Sequence, residues 1–219
     1  MALKADNAGL PKVLPVFPLA GALLLPRGQL PLNIFEPRYL TMVRDAMAGD
    51  RLIGMVQPLE PDNSAAEPDV YGLGCAGRIT AFSETNDGRF LITLTGVSRF
   101  RVVEELSTTT PYRQVVADFV AFAEDQRSPV PEQGVDRDGL IGTLKRYLDA
   151  RGLTADWEAI GKAPDETLVN SLAMICPFEP AEKQALLESA SLKARTQTMI
   201  TLMEIGLAGA GEEGDPSRH

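Results

Sequence analysis

The feature that most constrains this chain is a change of hydrophobic period partway along it. Up to about residue 122, apolar residues come in strand-length runs cut by Pro and Gly, as at 13–17, 22–25 and 30–35. Beyond residue 140 they recur at helical spacing. A chain patterned this way folds as a β-rich part followed by a helical part, an α+β arrangement.

In the first part, the prolines within the apolar runs favour edge strands, bends or bulges. One helix interrupts the strands. Glu36 stands at its cap region and Pro37 at its first position, where a missing N–H costs nothing. Leu40, Val43 and Met47 follow at helical spacing, joined by Tyr39 and Ala46, and Gly49-Asp50 ends it. A strand is expected at 51–57, then a polar surface loop at 58–69. Segments 72–85 and 90–97 flank Asn86-Asp87-Gly88, a strong hairpin turn because these residues tolerate positive φ. Ile92 and Leu94 share one face, 100–104 continues or bends from that strand, and a last strand is expected at 112–122.

The stretch 124–133 is polar, twice interrupted by Pro, and reads as a linker. Leu140, Ile141, Leu144 and Leu148 then line one helix, and a short turn or helix surrounds Trp157. Pro164 begins a helix with Leu168, Val169, Leu172 and Ile175 inward. Pro180 begins another, and Leu192, Met199, Met203 and Leu207 mark the last. The expected organisation is a disordered leader at 1–11, a β-rich region at 12–123, the linker, a helical bundle at 134–208 and a disordered tail at 209–219.

Composition then narrows the function. The formal net charge is −9, of which −2 falls in residues 1–121 and −7 in the rest. That balance disfavours nucleic acid as a partner, and the near-neutral first half is the better contact surface. The one His is His219, the last residue, which argues against His-dependent triads and metal sites. Cys75 and Cys176 form no C-x-x-C pair and read as small buried hydrophobes. No signal-peptide pattern is visible, and 13–25 is too short and too Pro-broken for the ~20 apolar residues of a span. A cytoplasmic location, with no membrane partner, is expected.

The chemical motifs are weak. Gly72-x-Gly74-x-x-Gly77 imitates a dinucleotide fingerprint, but strand-like Arg78-Ile79-Thr80 follows where a helix must open. Its glycines fit strand bending or close packing. Gly161-Lys162 lacks the earlier Gly of a phosphate-binding loop, and no G-x-S-x-G occurs. Glu104 and Glu105 point to opposite faces of a strand. Glu60, Asp62, Glu67 and Asp69 fit an ordinary solvated loop. The run Leu23-Leu24-Leu25 with Leu30 and Leu32 is either core or an apolar surface that takes up an extended polypeptide by strand addition.

Several motifs together resemble the Lon N-terminal domain, the substrate-recognition region of the ATP-dependent Lon protease that is also found in cereblon-type proteins. They begin with Pro15-Val16-Phe17-Pro18-Leu19, Leu25-Pro26 and Pro31-Leu32. Ile34-Phe35-Glu36-Pro37-Arg38-Tyr39 follows, and its Phe35-Glu36-Pro37-Arg38-Tyr39 block is the most specific. Gly77-x-Ile79, Asp87-Gly88-Arg89 and Gly96-Val97-x-Arg99-Phe100 follow in order. Glu182-Lys183-Gln184-x-Leu186-Leu187-Glu188 and Arg195 resemble the family's helical part. The resemblance spans about residues 12–207.

It implies a PUA-like β pseudo-barrel with an embedded helix, followed by a C-terminal helical bundle. It also implies binding of unfolded or extended polypeptides, in the setting of protein quality control and proteolysis. The ATPase and protease domains of full-length Lon have no counterpart motif in this sequence. The expectation is therefore a stand-alone, non-catalytic form without a cofactor, acting alone or with a protease or ATPase in trans. The signature residues Phe17, Pro18, Leu19, Pro31, Phe35, Glu36, Pro37, Arg38, Tyr39, Gly88, Gly96, Arg99 and Phe100 are expected to be structural, with Glu36 capping its helix or pairing with Arg38 or Arg99. Leu23, Leu24, Leu25 and Leu30 are the candidate polypeptide contacts. A small-molecule or enzymatic use of the fold is a second reading. An RNA-binding module, using Arg78, Arg89, Arg99 and Arg101, is a third.

Overall fold

The apolar runs of the first half become strands of one sheet in the computed structural model, which describes residues 9–60, 68–128 and 134–212. The strands are β1 (Val13–Pro18), β2 (Gln29–Ile34), β3 (Leu52–Val56), β4 (Leu73–Glu84), β5 (Phe90–Leu106) and β6 (Gln114–Asp118). Their hydrogen-bonded order is β2-β5-β4-β3-β1-β6, and β6 also pairs with β5. The order β5-β4-β3-β1-β6 thus returns to its start, and β2 is attached outside this cycle. All pairings are antiparallel except β1 with β3. A core of Leu14, Val16, Leu52, Val56, Phe100, Val115 and Phe119 is buried within it.

Tight backbone approaches shape this sheet. A Cβ on Gly96 would sit 2.0 Å from the Leu25 carbonyl oxygen, and one on Gly74 would sit 2.5 Å from that of Met55. One on Gly77 would meet a Leu24 methyl at 2.6 Å. Gly74 and Gly77 of the fingerprint-like motif are therefore packing glycines within β4, whereas Gly72 precedes the strand and meets nothing within 4 Å. At the hairpin tip, Gly88 takes φ +79°, and the Thr85 N–H donates to the Arg89 carbonyl at 2.9 Å.

Helix α1 (Pro37–Ala48) starts at Pro37 as expected. It buries Tyr39, Met42, Val43 and Ala46, with Met42 completing the face. Glu36 holds the cap position but makes no side-chain cap. Its carboxylate accepts from Arg38 Nε at 3.0 Å.

Two expectations need correction here, and one alternative is decided. Residues 22–25 form no strand, and their leucines fill the core from an irregular loop. Of the two readings of 100–104, it continues 90–97 in one strand, β5, which absorbs a register shift between Val102 and Glu104. The last strand stops at Asp118, and a 3-10 helix (Val120–Gln126) replaces its expected end and the start of the linker. The cause is Asp125, whose buried carboxylate accepts from the Arg99 backbone N–H at 3.0 Å and from Nε and Nη2 at 2.9 Å each. Residues 129–133 of the expected linker lie outside the described residues. So do 1–8 of the leader, 61–67 of the acidic loop, including Asp62 and Glu67, and 213–219 of the tail.

Contacts divide the chain into two compact units, Met1–Ser128 and Pro129–His219. The second contains α2 (Arg137–Asp149), α3 (Trp157–Lys162), α4 (Asp165–Ile175), α5 (Pro180–Glu188) and α6 (Leu192–Glu212). Helices α2, α4 and α5 each pack on α6. The helix starts carry their own caps. Asp136 accepts from the Gly139 N–H, Asp156 from those of Glu158 and Ala159, and Glu179 with Glu182 forms a capping box beside Pro180. Ile175, expected inward, is 79% exposed. It ends α4, and Cys176 and Phe178 beyond it take the buried places instead. Helix α6 also continues past the expected boundary at 208, where Ala208 and Ala210 favour helix despite the flanking glycines.

Candidate functional site

Where β2 and β4 flank the first half of β5, the three strands extend beyond the cycle as an arm. β3 pairs with β4 only as far as Arg78, whereas β4 and β5 stay paired out to Glu84 and Phe90. A shallow cleft of about 490 Å³ lies on this arm, lined by Pro31, Leu32, Asn33, Ala81, Phe82, Ser83, Leu91, Ile92 and Thr93. None of these side chains is ionisable. Register explains the lining. Pro31, Thr93 and Ala81 stand directly across from one another, as do Asn33, Leu91 and Ser83, so these six share one face.

Leu91 is 47% exposed and Phe82 42%, and the Phe82 ring lies 5.0 Å from that of Phe90. Phe35, which follows β2, is 61% exposed. The opposite phase of the strands, Ile34, Phe90, Ile92 and Leu94, is buried, and the Arg44 guanidinium sits 5.0 Å over Phe90. Phe82 pairs with Ile92 and belongs to this same phase, so the arm has an apolar inner phase and an open outer face on which Leu91 is exposed.

Most signature residues lie away from this face. Phe17 stacks on Tyr39 at 4.2 Å, and Arg38 lies 4.6 Å over the Tyr39 ring. Burial pushes the Tyr39 hydroxyl above its ordinary range. Pro18 ends β1, and the Leu19 N–H donates to the Val56 carbonyl at 3.0 Å. Phe100 is fully buried, with its ring 5.9 Å from Phe119. Pro31 and Phe35 are the signature residues that reach the arm's surface.

The leucine expectation divides. Leu23, Leu24 and Leu25 are 2%, 1% and 0% exposed, so they are core and present nothing to a partner. The approach of Leu24 to Gly77 and of Leu25 to Gly96 shows why: the loop backbone lies directly on the sheet. Leu30 is half-buried on β2. The expected basic patch does not assemble as drawn, because Arg99 is buried against Asp125. Glu36 pairs with Arg38, not with Arg99.

Other chemistry finds little support among the described residues. No group of three His, Cys, Asp or Glu is placed to hold a metal, and no helix is long and apolar enough to cross a membrane. Both thiols are buried, and burial pushes that of Cys176 up to about 11, which leaves it protonated at neutral pH. Lys183 has its pKa lowered by burial and donates to the Met174 carbonyl at 3.2 Å. Glu105 is engaged by Arg113.

One sequence signal marks the outer face. Leu91 falls on the polar phase between inward Phe90 and Ile92, where alternation calls for a hydrophilic residue.

A six-stranded sheet with an embedded helix, followed by packed helices and bearing an uncharged apolar cleft, is a mixed α+β architecture that matches known structures. The Lon N-terminal domain protein from Xanthomonas campestris superposes with a TM-score of 0.62 at 23% identity, over 86% of this chain and 97% of that one. The N-terminal domain of a Mycobacterium avium complex Lon protease gives 0.58 at 17%, over 88% and 98%. In sequence, residues 13–204 match the family described as the ATP-dependent protease La (LON) substrate-binding domain, and the chain belongs to that family. Lon protease 2 of Myxococcus xanthus is 30% identical over 210 residues, covering 90% of this chain and 24% of the relative. Lon protease of Flavobacterium johnsoniae is also 30% identical, covering 92% and 25%. The chain therefore spans about a quarter of the length of these curated relatives.

Proposed function

We propose that this protein recognises polypeptides, binding unfolded or extended segments without transforming them. The observation that carries the reading is the open, uncharged cleft on the β2-β5-β4 arm of a chain that belongs to a substrate-binding family. Phe82, Leu91 and Phe35 keep large apolar surface in water, a cost that a binding role explains. The cyclic strand order supports describing the first unit as a PUA-like pseudo-barrel, and the packing of helices on α6 supports describing the second as a bundle. The family's motifs matched here are those of recognition, so a protease or ATPase partner would supply any cleavage.

Fluorescence anisotropy with a fluorescein-labelled, reduced and alkylated model protein tests this directly. Saturable binding at micromolar concentration is expected. Flat anisotropy up to high micromolar protein sinks the reading.

A further inference from the structure

The arm presents two sheet edges and one face, and the sequence treats them differently. β2 has β5 on one side only. Where its ladder begins, the Gly96 N–H donates to the Gly28 carbonyl at 2.9 Å. The alternation of antiparallel bonding then turns positions 30, 32 and 34 toward β5 and Gln29, Pro31 and Asn33 toward the free edge. Pro31 has no N–H, so the middle of that edge offers an incoming strand no donor.

The other flank is closed in a different way. β4 loses β3 after Arg78, and the Ile79 N–H still donates to the Arg51 carbonyl at 2.8 Å, so its outer side is free only beyond Ile79. There the strand is irregular between Ile79 and Ala81, and the Thr80 hydroxyl turns back to the Thr93 carbonyl at 3.3 Å. The charged Glu84 then ends the strand. Proline, bulges and terminal charge are the devices that blunt sheet edges against pairing. The face between these edges has no such protection and no ionisable lining.

We propose that the arm takes an uncharged, extended stretch of a partner polypeptide by its side chains, laid across the outer face over Leu91, and that both edges are closed to strand addition. This deepens the polypeptide-binding reading and rests on it. The occupant follows from charge. A Lys, Arg, Asp or Glu seated in the cleft would lose water and find no counter-charge among the lining residues. Specificity then comes from apolar side chains and not from backbone pairing. This reverses the strand-addition mode that the leucine run and the edge position of β2 suggested.

The test is anisotropy with the full chain and a fluorescein-labelled decapeptide carrying a Leu- and Val-rich uncharged centre. A second peptide has alternate main-chain amides of that centre N-methylated, and a third has two central residues replaced by Glu. Leu91→Asp and Gln29→Pro are the protein variants: the first changes the face, and the second removes a remaining N–H of the β2 edge outside the cleft lining. The N-methylated peptide should bind within about twofold of the parent, and Gln29→Pro should change affinity by no more than that, since neither removes a contact the mode uses. Leu91→Asp and the Glu peptide should each weaken binding about tenfold or more. Unchanged thermal midpoints for both variants separate these effects from misfolding.

Loss of binding on N-methylation, or in Gln29→Pro, overturns the proposal in favour of strand addition. Full affinity in Leu91→Asp overturns it by moving the site elsewhere. If the unfolded model protein binds and the decapeptide does not, this mode fails while the polypeptide-binding reading stands. If neither binds, both fail.

Discussion

The two units bury their polar groups in different ways, and the contrast shows what specifies each. The β-rich unit fixes itself by backbone proximity: Gly54, Gly74, Gly77 and Gly96 all sit where a Cβ would meet a neighbour at 3.0 Å or less. Its main buried charge is one ion pair, Arg99 with Asp125, about nine-tenths buried on both sides. The helical unit has few such approaches but many buried polar side chains, including Thr143, Asn170, Lys183, Gln184, Arg195 and Thr196. Arg195 donates to the Leu186 carbonyl and to Asn170 Oδ1, both at 2.9 Å, and so ties α6 to α5 and α4. The sheet is thus intolerant of added volume, and the helices are intolerant of lost hydrogen bonds.

The largest effect should come from Asp125→Ala. It strands the Arg99 guanidinium in the core, and breaking a buried pair costs about 3–5 kcal/mol. Trp157 is the one Trp and lies in the helical unit, so its fluorescence reports that unit while tyrosine circular dichroism follows both. In urea, Asp125→Ala should destabilise the β transition; an equal shift in the Trp157 signal would dissolve the distinction.

Next comes a matched glycine pair. Gly96→Ala forces a Cβ against the Leu25 backbone and should cost about 3 kcal/mol. Gly142→Ala on α2 meets nothing within 4 Å. It should be neutral or stabilise by about 0.5–1 kcal/mol. Chemical denaturation of both variants checks the asymmetry, and a costly Gly142→Ala would break it.

Arg195→Met removes donors from two buried acceptors and should cost the helical unit about 2 kcal/mol, read from the Trp157 midpoint. A Gly96-sized loss in the tyrosine signal instead would mean that the two units do not unfold separately.

The smallest effect is a pH dependence confined to the β unit. The Tyr112 hydroxyl donates to Asp45 Oδ2 at 2.8 Å, and burial with that carboxylate raises its pKa from 10.0 to about 12. The raised value favours the protonated form in the folded state. Its contribution is therefore complete below pH 10 and is lost as pH rises toward about 12. Thermal midpoints measured from pH 9 to 11.5 should fall less steeply in Tyr112→Phe than in the parent. Parallel slopes would remove Tyr112 from the account.

Local chemistry made much of the fold legible. Pro37 and Pro180 start their helices, and Asn86-Asp87-Gly88 turns the hairpin, because these residues act through their own backbone. What escaped was set at a distance. Residues 124–126 look like linker until Arg99 supplies the partner for Asp125. Leu23 to Leu25 look equally suited to surface or core, and only the glycines of β4 and β5 decide for the core. Ile175 has an inward period and lies outward because α4 ends there. Within the candidate site, Pro31 and Phe35 were legible as signature residues. Leu91 was legible from alternation as an apolar residue on the polar phase, and Phe82 required the register between β4 and β5.

The cyclic order of strands also has a kinetic consequence. The β4–β5 pairing is local, joined by a three-residue turn, and β3 adds to β4 across the intervening loop. The seam of β1 with β6 joins Val13 to Val116 and closes only when almost the whole unit is in place. Loop-closure entropy therefore orders assembly with the hairpin early and the seam last. Destabilising substitutions at Ile92 or Leu94 should slow folding, whereas those at Val13 or Val115 should mainly speed unfolding. Stopped-flow rates that reverse this pattern would show the seam forming first.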